Sequence, residues 1–93
     1  MLNEVKTSLR ITSDVLNDDI KSNINAALLD MSRVGVNVSA VEIDNPKTYD
    51  ALILTCVELY CKWIFDYIQK GEQWHIAYER LRDSMSRCKQ YNE

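Results

Sequence analysis

The amino-acid sequence predicts an all-α fold, a small bundle of about four helices with an extended connector between the second and third. Three observations predict it. Only two Gly and one Pro occur in 93 residues, and helix interiors tolerate neither well. Apolar residues recur at three- and four-residue steps along most of the chain, the spacing of one helix face. The one stretch rich in β-branched residues, 36–43, has no second strand of its own chain to pair with.

The first helix is expected over residues 2–10, where Leu2, Val5 and Leu9 share a face. Thr12, Ser13 and Asp14 follow, and any of them can accept a bond from a free N–H to cap the next helix. That second helix is expected to run to about Arg33. Its stripe is Leu16, Ile20, Ile24, Ala27, Leu28, Met31 and Val34, with Asp18 and Asp19 in the first turns, where the helix dipole favours them. Gly35 is expected to end it at positive φ. Residues 36–43 form the connector, either extended or a short strand. Asn45-Pro46 reads as cap and first residue of a third helix continuing to Lys70, with Gly71 as its stop. Its polar residues Thr55, Glu58, Lys62, Asp66 and Gln69 crowd into ~80° of the wheel. The rest is apolar or aromatic, so it must be covered on several sides and is the expected central helix. A fourth helix is expected from about Glu72 to Tyr91, with Trp74, Ala77, Tyr78, Leu81, Met85 and Cys88 as its seam. Trp63 and Leu81 are expected between the third and fourth helices. No repeat, low-complexity tract or linker divides the chain, so residues 1–93 are expected to be one domain.

The net charge is −3, from 11 Lys plus Arg against 14 Asp plus Glu. An acidic chain is repelled by a polyphosphate, which argues against stand-alone DNA binding. The excess lies in residues 1–45, with four basic and seven acidic groups, whereas residues 46–93 hold seven of each. Cys56, Cys61 and Cys88 are an odd set without a CxxC pair, at positions that read as helical and apolar, and are expected as buried free thiols. Asn3, Glu4 and Lys6 interrupt any signal-peptide pattern, and Thr55, Glu58 and Lys62 break the apolar run around 51–65. A soluble, intracellular protein without a membrane segment is the expectation.

The residue types that carry chemistry do not converge. His75 is the only histidine and has no His or Cys at helical spacing, so neither a metal site nor a nucleophile's base is expected. Two glycines cannot build a phosphate-binding loop. No enzyme and no cofactor are expected, which leaves contacts with other macromolecules. Two surfaces are candidates. Val36, Val38, Val41 and Ile43 make the connector more apolar than a free loop, a candidate subunit interface by strand addition. Arg80, Arg82, Arg87 and Lys89 form a candidate DNA-facing basic patch, with Arg80 and Arg87 on one face and Arg82 and Lys89 beside the seam.

Val5-Lys6-Thr7-Ser8-Leu9-Arg10-Ile11-Thr12 is followed by Asn17-Asp18-Asp19-Ile20 and Ile24-Asn25-Ala26-Ala27. This opening resembles the bacteriophage head–tail connector family, also described as DNA-packaging or head-completion proteins. The likeness continues through Ser32-Arg33-Val34-Gly35-Val36, Leu59-Tyr60-Cys61-Lys62 and Tyr78-Glu79-Arg80-Leu81, so it covers nearly the whole chain in order. The aromatic Trp63-Ile64-Phe65 departs from it. The resemblance implies a helical adaptor that assembles as a homo-oligomeric ring beneath the portal protein once DNA is packaged. It implies tail or stopper proteins as further partners, non-specific contact with packaged DNA at most, and residence in the virion neck after assembly in the bacterial host. It implies no reaction. The alternative is a small phage-encoded regulator, DNA-binding or anti-repressor. That would need a short turn and a basic recognition helix, whereas residues 35–45 are long and the second helix carries Asp14, Asp18, Asp19 and Asp30.

Overall fold

A computed structural model describes residues 1–93, which form five α-helices and no strand. They are α1 (Leu2–Ser8), α2 (Asn17–Arg33), α3 (Ala51–Ile64), α4 (Gly71–Ser86) and the one-turn α5 (Lys89–Asn92). Short 3-10 turns occupy Pro46–Thr48 and Tyr67–Gln69. The helical bundle and the four expected helices are present.

The predicted stripe of α2 buries Ile20, Ile24, Ala27 and Met31 against α3, and Leu16, Leu28 and Val34 pack at its margin. α3 touches α1, α2 and α4, as its nearly all-round apolar surface requires. It contributes Ile53, Cys56, Val57 and Cys61 to one continuous cluster of 14 buried residues. Tyr60 meets Trp63 on its own helix and Tyr78 across the α3–α4 seam, edge to face at 5.4 and 5.2 Å between ring centroids. The radius of gyration, 12.6 Å, is close to the ~12 Å of a compact chain this long.

The helix ends differ from expectation, and each for a local reason. None of Thr12, Ser13 and Asp14 caps α2. Ser13 Oγ accepts the Val15 N–H at 3.2 Å instead, and the Asp14 carboxylate pairs at 2.9 Å with Lys6, whose stem is buried in the bundle. Asn45 does cap Pro46, accepting the Lys47 N–H at 3.1 Å, but only the short 3-10 turn follows. α3 starts later, capped by Asp50, which accepts the Ile53 N–H at 3.0 Å. It also ends early, at Ile64, because Asp66, Ile68 and Gln69 adopt left-handed backbone. Gly71 is therefore the first residue of α4 rather than the stop of α3. Its N–H donates to Asp66 Oδ1 at 2.8 Å, and a Cβ there would sit 2.7 Å from the same oxygen. Gly35 does take positive φ, 103°.

Residues 36–43 form the non-helical connector between α2 and α3, with no strand in it, and fold over the chain's own bundle. Val36 is 1% exposed, and Val38, Val41 and Ile43 pack half-buried against the core. Backbone groups of the segment find partners within the chain. The Asn37 N–H donates to Tyr91 O at 2.6 Å, Ile43 O accepts from the Met1 nitrogen at 2.7 Å, and the Glu42 N–H donates to Thr48 Oγ1 at 2.8 Å.

Candidate functional site

The most connected polar group ties α2 to α4. Asp30 lies at the edge of the α2 stripe, where its carboxylate accepts the Tyr78 hydroxyl at 2.6 Å and an Arg82 N–H at 2.9 Å. A third bond comes from Arg33 at 2.7 Å. Burial works against the Asp30 charge, yet the bonds from Tyr78, Arg33 and Arg82 overcome it and hold the carboxyl at about 2. On the other side, burial opposes the Arg82 charge, and Asp30 and Asp83 outweigh it and push the guanidinium higher still. Burial and then the Asp30 hydrogen bond push the Tyr78 hydroxyl up. No pattern in the sequence links positions 30 and 82, although Arg82 stands about 200° from Arg80 on an ideal wheel and so falls toward the seam.

This network takes in one of the four expected basic-patch residues, Arg82. The Arg82 side chain is only 12% exposed and its guanidinium meets Asp30, Asp83 and Glu79, so its charge is largely matched within the chain. Arg80 and Arg87 remain exposed on the outer face of α4 with no ion pair, while exposed Lys89 sits on α5 at 3.7 Å from Glu93. The connector residues Val36, Val38, Val41 and Ile43 pack against the chain's own core. Val36 belongs to the buried core, and the Asn37 N–H and the Ile43 carbonyl already have partners within the chain.

His75 stacks on Trp63 at 3.9 Å between centroids and 13° between planes, and its Nε2 meets Glu79 at 2.8 Å. The stacking makes it part of the α3–α4 seam, and its spacing of four from Glu79 signals only the pair within α4. The widest hollow, about 430 Å³, lies between α1 and α3 and is lined by Asn3, Glu4, Thr7, Ser8, Leu54 and Glu58. Its two hydroxyls are engaged by backbone, Thr7 Oγ1 donating to Asn3 O and Ser8 Oγ to Val5 O, each at 2.9 Å. No three His, Cys, Asp or Glu side chains gather as a metal-holding group. No helix is long and apolar enough to cross a membrane.

The cysteines are all free, but Cys88 is exposed, against the expectation of three buried thiols. It stands at the break between α4 and α5, where the backbone turns extended at φ −96° and ψ 123°. Burial pushes the Cys56 and Cys61 thiols up to about 12, which suppresses the reactive thiolate. A maleimide should therefore label one thiol per folded chain, Cys88, and all three only in denaturant. Mass spectrometry of the labelled protein checks this, and rapid labelling of Cys56 or Cys61 without denaturant would contradict the packing of α3.

The geometry thus defines a helical bundle whose α2 and α4 are tied by the Asp30, Tyr78 and Arg82 network. The chain belongs to the phage connector protein family, whose model matches residues 1–91. Comparison with curated proteins and with solved structures gave no match. The likeness seen in Val5–Thr12 and in the segments that follow is thus part of a match that takes in nearly the whole chain. A phage structural connector role, in association with other phage structural proteins, follows from that membership.

Proposed function

We propose that the chain is a head–tail adaptor that assembles as a ring between the portal protein and the tail or stopper proteins and completes the head after DNA packaging. The observation that carries this reading is the match to the connector family across residues 1–91. The surface carries large apolar side chains, with Val15 86% exposed and Leu29 73% exposed. Contacts with neighbouring subunits would cover them. The work is holding and sealing, with no bond made or broken.

The regulator is the weaker reading on specific grounds. Residues 34–50 separate α2 from α3, far more than a helix-turn-helix turn, and Arg82 is withdrawn from the basic patch. Duplex DNA should be bound only weakly, without sequence preference, and less as salt rises. Fluorescence anisotropy with unrelated duplexes at physiological salt tests both readings at once. A sub-micromolar, sequence-selective complex would sink the adaptor and promote the regulator.

A further inference from the structure

Two outward helix faces have no partner within the chain, and their chemistry is complementary. On α2, Asp18, Ser22, Asn25 and Leu29 share the exposed stripe. On α4 the exposed stripe holds Ile76, Arg80 and Ser84, and Arg87, the residue that ends the helix, continues it. Asp18, Arg80 and Arg87 enter none of the ion pairs of the fold. Leu29 and Ile76 are among the few large apolar side chains left exposed.

The spacings match as well. Leu29 lies 11 positions after Asp18, and Arg87 lies 11 positions after Ile76. Each interval is about 16.5 Å along a helix. Laid antiparallel, the two faces bring Ile76 onto Leu29 while Arg87 reaches Asp18, and Arg80 falls opposite Asn25. That orientation also sets the negative C-terminal end of α4 beside the positive N-terminal end of α2.

We propose that the outer face of α4 in one copy docks antiparallel on the outer face of α2 in the next copy. The contact rests on the ring reading above and supplies its subunit interface. It is heterologous, because each chain contributes two different faces, and a heterologous contact is the kind that generates rings. Arg80 and Arg87 then serve a neighbouring copy rather than DNA.

Sedimentation velocity of the full chain, in reducing buffer so that Cys88 forms no disulfide, tests this over a wide concentration range. The parent's average mass should rise with concentration. Leu29→Asp and Ile76→Asp should each stay at monomer mass, since each loses one face. An equal mixture of the two should form dimers and go no further, because one intact contact remains per pair. Asp18→Arg and Arg87→Asp should each weaken association ~5-fold, and the double variant carrying both should regain it. All four positions are exposed, so circular dichroism should be unchanged. If an apolar variant loses its helical signal, the charge pair decides alone. A parent that stays monomeric throughout, apolar variants that associate like the parent, or a mixture that stays monomeric overturns the proposal. So does an Arg87→Asp variant that loses duplex affinity while its self-association is unchanged. If the variants still form rings on the portal, the interface falls and the ring reading stands. If the parent forms none there, the ring reading falls.

Discussion

Asp30→Ala should destabilise the protein by ~3 kcal/mol, a large share of the total for so small a domain. The substitution removes one oxygen-bearing group from three donors at once. Tyr78, whose ring is wholly buried, loses its 2.6 Å acceptor. Arg82 keeps Asp83 at 2.9 Å but loses Asp30 at the same distance. Leaving a buried donor or charge unmatched costs more than an exposed ion pair contributes. The same group makes stability depend on pH. Its carboxyl is held at about 2, below the 3.8 ordinary for an aspartate. A depressed carboxyl stabilises the fold above its unfolded value and loses that contribution as pH falls through the folded one. About 2 kcal/mol should therefore disappear between pH 4 and pH 2. Asp30→Asn should flatten that part of the curve. Chemical denaturation at a series of pH values reads both effects, and a parent-like stability for Asp30→Ala would show that the network contributes nothing.

Trp63→Ala should cost ~2–4 kcal/mol, because the indole fills the α3–α4 seam. It stacks on His75 at 3.9 Å, meets Tyr60 at 5.4 Å and lies 6.3 Å from the Tyr78 ring. The side chain is partly exposed, so the loss should stay below that of a fully buried aromatic. Leu81, expected at the same seam, is also only half-buried. Leu81→Ala should therefore lie near the lower end of the usual range, ~2 kcal/mol. Thermal melts of the two variants check the order. A Trp63→Ala midpoint equal to the parent's would mean that the seam is held by other residues.

The stripes of α2 and α3 were legible because burial on one side of a helix imposes a period that any chain must carry. Ile20, Ile24, Ala27 and Met31 show it plainly. The end of α3 was not legible. Phe65, Tyr67 and Ile68 continue the apolar composition, and the turn depends on a left-handed Asp66 whose side chain reaches Gly71. α4 ends at Ser86 with neither Gly nor Pro to mark it. Distant partners accompany that break: Tyr91 donates to Asp50 at 2.6 Å and accepts from the Asn37 N–H. Arg82 looked like surface charge because its partner Asp30 is 52 positions away in sequence. Local pattern carries periodicity, but it does not carry such pairings. The two outward faces, in contrast, were written in the sequence at helical spacing and needed only the fold to show that nothing in the chain covers them.

Assembly on the portal is the measurement that bears most directly on the connector reading. The purified chain, mixed with portal rings and resolved by size with mass determination, should shift to a complex of several copies per ring. Electron microscopy of that complex should show added density around one mouth of the portal. A chain that remains free of the portal, with no added density at any ratio, would contradict the account.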